Sequence, residues 1–179
     1  MRLPIDVPAV PSSGVEVTAF FIAISDELFA ALDHEQVWAH IPGPQPTSPT
    51  ALVSKLSGDS TIRQVLVIRA HGRAIGTTSY YLDPLAPQGV EIGATLFTPN
   101  AWGSGVNAVV KSAMIDASFE AGAQWVQFRT DERNGRSAAA ILKLPGAVEL
   151  SPRLEPEKIR KDGTVRTSRM FRIPRPELT

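Results

Sequence analysis

Cysteine is absent from the 179 residues, which removes disulfides, thiolate nucleophiles and thiolate metal ligands together. Histidine is scarce. His34, His40 and His71 are never spaced as a helical ligand pair, so neither a structural zinc nor any other metal is expected. Net charge is zero, with 18 Lys/Arg against 18 Asp/Glu, which argues against a generic polyanion binder and against nucleic acid as a partner. No stretch approaches the ~18 consecutive apolar residues of a membrane span, and the opening Met1-Arg2-Leu3-Pro4-Ile5-Asp6 lacks the apolar core of a signal peptide. The expected protein has no membrane association and sits in the cytoplasm. Internal repeats and low-complexity tracts are also missing, and the length suits one domain, residues 1–179, that buries its core without disulfides or a metal.

What is present is an ordered alternation of strand-like and helix-like segments. Residues 15–23 read as a first strand, and Ser25 to Asp33 as a capped helix. Four prolines between Pro42 and Pro49 make a loop. A second helix is expected over residues 50–56, then strands at 65–69, 73–82 and 90–97. In the last of these, Ile92, Ala94 and Leu96 alternate with Glu91, Gly93, Thr95 and Phe97, which predicts two opposite faces. Val106, Val109, Val110, Ala113, Met114 and Ala117 follow helical spacing, and Gly122 supplies a stop. A strand at 125–130, a helix from Asn134, and a hairpin turning at Asp162-Gly163 with residues 165–173 as its return strand complete the chain. The class is α/β, a mixed sheet flanked by helices. After Ser151 the basic residues outnumber the acidic ones eight to four. This reads as a solvated hairpin edge protected by charge, or as cations that meet an acidic substrate or coenzyme phosphates.

The segment with most chemical content is Thr98-Pro99-Asn100-Ala101-Trp102-Gly103-Ser104-Gly105-Val106-Asn107, which joins a strand to the long helix. Glycines at a helix start let a bulky anion approach, and the first helical N–H groups, reinforced by the helix dipole, offer unpaired donors to a phosphate. Taken alone, the glycines also suit a tight corner. A dinucleotide fingerprint is locally compatible through Ala108, but the repeated βαβ units it requires do not follow. A P-loop requires Gly-Lys-Ser/Thr, and Lys111 comes too late; about one turn into the helix, that lysine could reach a phosphate, but a place on the helix surface suits it better.

The segment resembles the acetyl-coenzyme A loop of the GNAT superfamily of N-acetyltransferases, with pattern Gln/Arg-x-x-Gly-x-Gly/Ala. Trp102 and Asn107 depart from that general pattern, yet Trp before the first glycine is similar to the Rim-type branch, the ribosomal-protein N-terminal acetyltransferases. The block from Asp131 through Asn134, Ser137 and Leu144 to Gly146-Ala147 resembles that branch too, as do residues 73–81 and Glu91-Ile92-Gly93, in order and spacing. The likeness spans about residues 12–173. It implies a mostly antiparallel sheet splayed at the coenzyme site, and direct transfer of acetyl from acetyl-CoA to a primary amine, of a protein N-terminus or of a small molecule. A homodimer is compatible with it. The other reading is an acyl-CoA-binding module or regulator without catalysis.

By this resemblance, the backbone of Leu96, Phe97 and Thr98 holds the pantetheine arm, while Trp102, Gly103, Ser104, Gly105, Val106 and Asn107 form the pyrophosphate loop. Trp102 either covers the pocket or anchors the loop, and Asn107 either caps the helix or donates to a phosphate. Glu91 is the general-base candidate, on the polar face of the strand and about 17–20 Å before the loop at ~3.3 Å per residue; the alternative is a solvated strand glutamate. Asn134 and Ser137 read first as residues of a helix cap. The resemblance adds coenzyme binding by Asn134 and places Ser137 near the sulfur as the acid. The tyrosine that many relatives carry in this last helix is replaced by Ala138-Ala139-Ala140, so Ser137 or a water must protonate the thiolate. Pro145 interrupts the family's Lys-Leu-Gly.

Overall fold

The computed structural model describes residues 1–10 and 13–177; the expected start of the core at Ser12 lies outside them. Seven strands form one sheet: β1 (Val15–Ala19), β2 (Arg63–Ala70), β3 (Arg73–Tyr81), β4 (Gly89–Phe97), β5 (Trp125–Asp131), β6 (Val148–Ile159) and β7 (Val165–Pro174). Their order is β1-β2-β3-β4-β5-β7-β6. All neighbours are antiparallel except β4 and β5, which run parallel. The four helices are α1 (Ser25–Leu32), α2 (Pro49–Leu56), α3 (Val106–Glu120) and α4 (Gly135–Leu142).

Local chemistry accounts for most boundaries. The hairpin between β2 and β3 turns on His71 and Gly72, with φ of 50° and 78°, the paired positive dihedrals that match strand twist in a two-residue turn. Ser48 caps α2 by accepting from the Ala51 N–H at 3.1 Å, with Pro49 at the first helical position. The first strand is shorter than expected, because a 3-10 turn over Ile22–Ile24 takes up its last residues. Ser25 is not a cap: Ile24 occupies that position, and no side chain serves as a cap there. Glu27 in the same turn instead accepts from the Ala74 N–H at 2.7 Å and pairs with Arg69 at 2.9 Å, pinning α1 to the β2–β3 hairpin.

The core lies on both faces of the sheet. On one face Tyr80, Ile92, Val126, Phe128 and Phe171 pack against Met114 of α3 and Ala138 of α4. On the other, Leu28, Leu32, Trp38, Leu52, Leu56, Val67 and Leu96 form a second cluster under α1 and α2. That second cluster draws on β2, β3 and β4 only. Toward β5, β7 and β6 the same face carries charged side chains instead.

The central strand β4 departs from its expected alternation. Gly93 pairs with Ser79 and Leu96 with Thr77, so between these pairs two residues of β4, Ala94 and Thr95, oppose one of β3, Thr78. Ala94 takes φ of 47° to accommodate the extra residue, which is a β-bulge. Leu96 is thereby turned into the α1–α2 cluster while Phe97 joins the α3–α4 core. The expected faces, with Ile92 and Leu96 together, are inverted beyond Gly93.

Candidate active site

Strand β4 pairs with β5 only from Gly89 to Glu91, opposite Trp125 to Gln127. Both strands continue past this point, β4 to Phe97 and β5 to Asp131, without pairing to each other. Gly89 permits the close start, since a Cβ there would fall 2.2 Å from the Trp125 ring. Beyond Glu91 the backbone of β4 facing β5 lacks a strand partner, and a V-shaped cleft opens between them. The backbone of Leu96, Phe97 and Thr98 lies at its wide end. The Phe97 carbonyl accepts from Trp102 Nε1 at 3.1 Å, and the Thr98 N–H donates back to Ile75 at 2.8 Å.

Helix α3 begins where β4 ends. Gly103 and Gly105 take φ of 75° and 86°, with Gly105 as the N-cap, and a Cβ built on either would meet no atom within 4 Å. Both glycines thus border open space instead of tight packing. Among the described residues, the N–H groups of Gly103, Gly105 and Asn107 make no hydrogen bond. The Val106 N–H is held by Ser104 Oγ at 3.3 Å, and that hydroxyl donates to Ala101 at 2.7 Å. Asn107 is the second helical residue and caps nothing. The loop therefore presents unpaired donors at the positive end of a 15-residue helix. Trp102 anchors it through Phe97, and the Arg136 guanidinium of α4 stacks on its ring at 3.7 Å, linking the elements that follow β4 and β5.

Across the cleft, Asn134 caps α4, its side-chain oxygen accepting from the Ser137 N–H at 3.1 Å. Ser137 is partly exposed, and among the described residues its hydroxyl makes no hydrogen bond. Glu91 stands at the narrow end of the cleft, but it is not a free carboxylate. One oxygen accepts from Arg129 Nε at 2.9 Å and the other from Gln127 Nε2 at 3.2 Å.

Arg129 also binds Glu155, which ties Glu91 into a larger network. Glu155, on β6, has a fully buried side chain and meets Lys158 at 2.6 Å, Arg166 at 3.4 Å, and Ser168. Burial alone would raise its pKa, but hydrogen bonds from Lys158 and Ser168 and the charge of Arg129 prevail and hold it at about 2. Asp131 at the end of β5 is likewise held below the usual carboxylate range: burial opposes the shift, while Arg160, at 2.9 and 3.0 Å, and the Arg133 N–H bring it about. Sequence reasoning met Asp131 as the start of a motif block and passed over Arg129 and Glu155. Their signal was the strand Trp125-Val-Gln-Phe-Arg-Thr-Asp131, whose polar side chains fall at every second position, together with the basic excess of the tail.

Lys111 is the clearest correction. It is buried rather than on the helix surface. Its ammonium group donates to Thr95 Oγ1 at 2.5 Å and Thr78 Oγ1 at 3.4 Å and lies 5.6 Å from the Phe128 ring centre. It therefore sits between β3, the bulged part of β4, and β5, and burial brings its pKa down to about 7.

The model of the acetyltransferase (GNAT) domain family matches residues 22–145, and the chain belongs to that family. It is an acyltransferase. Solved structures similar to it include a GCN5-related N-acetyltransferase from Brucella melitensis (17% identity, 97% of this chain and 81% of that one, TM-score 0.82). Another is a GCN5-related N-acetyltransferase from Kribbella flavida (15%, 93% and 100%, TM-score 0.68). A third is spermidine N-acetyltransferase from Vibrio cholerae in complex with CoA and spermine (14%, 90% and 96%, TM-score 0.72). At these identities the likeness is one of fold. No curated protein matches the chain.

Proposed function

We propose that the chain transfers an acetyl group directly from acetyl-CoA to a primary amine. The observation that carries this reading is the coincidence of two features: a parallel strand pair that separates after Glu91, and a helix whose unpaired N–H groups face open space at the wide end of that separation. Gly103, Gly105 and Asn107 donate to the pyrophosphate through their backbone, and the β4 backbone at Leu96, Phe97 and Thr98 receives the pantetheine arm. Acetyl-CoA supplies an activated acyl carbon: the amine nitrogen bonds to it, the carbon–sulfur bond breaks, one proton leaves the amine, and one reaches the thiolate. Glu91, directly or through a water, takes the first proton, and Ser137 gives the second. Because Arg129 and Gln127 occupy the Glu91 oxygens, a bridging water fits the observed contacts better than direct abstraction. Asn134 adds a side-chain donor to the coenzyme while its oxygen remains on the Ser137 N–H.

Trp102 and the block from Asn134 to Ala147 support a Rim-type relative acting on a protein N-terminus. The Vibrio cholerae enzyme, named for spermidine, supports a small-molecule amine on the same fold.

Coenzyme binding is tested by the melting temperature. A ligand that binds only the folded state stabilises it by mass action, so coenzyme A should raise Tm. Gly103→Val and Gly105→Val should lose that increase. Both positions have positive φ, so each substitution also carries a strain of roughly 1–2 kcal/mol. Gly122, with φ of 96° and nothing near its Cβ, is the control: Gly122→Val should lose stability yet keep the full response. If all three variants respond like the wild type, the cradle is misassigned.

A further inference from the structure

At the end of β5, a cavity opens between the segment of residues 39–42 and the β6–β7 hairpin, lined in part by His40, Asp131, Arg160, Lys161 and Arg166. Asp131 and Arg166 share the sheet face of Arg129 and Glu155, the face away from α3 and α4. This is the charged half-sheet that α1 and α2 leave uncovered.

Arg166 is the group without an explanation. It is 8% exposed. Its Nε donates to Ser168 at 2.9 Å and lies 3.4 Å from Glu155. Its two terminal nitrogens make no hydrogen bond among the described residues, yet the residue lines the cavity. Arg160, in the same wall, is different: its nitrogens are spent on Asp131, Glu132, Thr164 and the Val165 carbonyl. Both carboxylates of the wall are also committed, Asp131 to Arg160 and Asp162 to Arg133 and Thr164. Glu155 cannot neutralise Arg166 alone, since Arg129 and Lys158 share it. Burial pushes the Arg166 guanidinium down from its ordinary range, as a cation short of acceptors should be. Among the described residues the unpaired donors of the cavity are thus the Arg166 fork, flanked by Lys161 and His40; Asp131 acts on Arg166 and His40 by charge, but its oxygens are already taken by Arg160 and the Arg133 N–H. The two terminal nitrogens of Arg166 therefore face the cavity, where an anion that enters can accept from both.

We infer that this cavity takes a carboxylate carried by the acceptor substrate, at the end remote from its amine, with the Arg166 fork as the principal ligand. The planar fork matches a planar carboxylate two bonds at a time, and Ile41 and Ile159 offer apolar wall to the stem between carboxylate and amine. The coenzyme's phosphates are the other anions at hand, but their donors are gathered at the start of α3, beyond the end of β4. This inference rests on the acetyltransferase reading for the word acceptor, and on the cavity alone for the anion.

The test uses ω-amino acids of increasing chain length, each against its own carboxamide, as acceptors of the purified protein with acetyl-CoA. At a favoured length the carboxylate should be preferred in kcat/KM by about 10-fold to 100-fold, the worth of charge-assisted hydrogen bonds. Arg166→Gln should bring that ratio close to one. Lys161→Ala, at an exposed position, should reduce it in part and serves if the first variant does not fold. Equal rates for acid and amide at every length, or a preference that survives in both variants, overturns the proposal. Glutarate, titrated calorimetrically into the protein without coenzyme, reads the cavity independently of turnover. If no amine is acetylated while glutarate binds wild type and not Arg166→Gln, the acetyltransferase reading fails and the anion pocket stands; absence of glutarate binding to wild type counts against the pocket. Should Arg166→Gln weaken coenzyme A but not dephospho-coenzyme A, the cavity belongs to a coenzyme phosphate and the acceptor assignment is wrong.

Discussion

At the scale of single residues, the catalytic account depends on Glu91, and its environment sharpens what a substitution should do. A carboxylate that removes the acceptor's proton contributes about 10²–10⁴-fold, and that benefit shrinks as pH approaches the amine's own pKa. Glu91→Gln keeps the shape and an oxygen for Arg129, so turnover should fall at neutral pH and recover partly in alkali, with coenzyme affinity nearly unchanged. Ser137→Ala should lower turnover with less recovery, because the proton it would supply in the proposed mechanism goes to the thiolate. A pH–rate profile of Glu91→Gln that matches wild type, with chemistry rate-limiting, would leave Glu91 as an anchor for Arg129 only. For Asn134 the cap was legible from residue type and is present at 3.1 Å; its amide nitrogen makes no hydrogen bond among the described residues, and the coenzyme contact proposed for it is tested by Asn134→Ala, which should weaken coenzyme binding beyond the ~1 kcal/mol of a lost cap.

At the scale of elements, the order of strands and helices was legible because period-two and helical spacing are local properties of a sequence. The β4 bulge was not. It comes from a register shift against β3 between Thr77 and Ser79, which depends on a partner strand that no local pattern encodes. Lys111 went astray for the same reason: its position on α3 is plain, but the hydroxyls of Thr78 and Thr95 that receive it come from two other elements. This buried contact gives the β4–α3 unit a measurable signature. With a folded pKa of about 7 against an ordinary lysine value of ~10.4, the unfolded chain holds more protons between those limits. Stability contributed at this site should therefore rise with pH from about 7 to about 10. Lys111→Met removes the titrating group and leaves the 2.8 Å Thr78–Thr95 hydrogen bond in place. Denaturant midpoints should show the variant gaining most over wild type near pH 7 and least near the top of that window. A difference that stays constant with pH would mean that Lys111 titrates alike in folded and unfolded chains.

At the scale of the whole molecule, the sheet is covered unequally, and that inequality divides the proposed labour. Helices α3 and α4 close one face with an apolar core. On the other face α1 and α2 close only the half that includes β2 and β3, and beyond it Arg129, Glu155, Asp131 and Arg166 form a largely buried charged network beside the cavity. In the function proposed, the coenzyme and the acceptor would approach the cleft from different sides and meet where β4 and β5 part, as direct transfer between two bound substrates requires. A coenzyme-binding module without catalysis would share the cradle but not the chemistry. The most direct measurement is therefore thiol release from acetyl-CoA by the purified protein, followed with and without a panel of primary amines, with mass spectrometry of each amine. The account predicts release that depends on the amine and appears one for one as acetylated amine. Binding of acetyl-CoA with no amine-dependent release across peptide N-termini and small amines would contradict it.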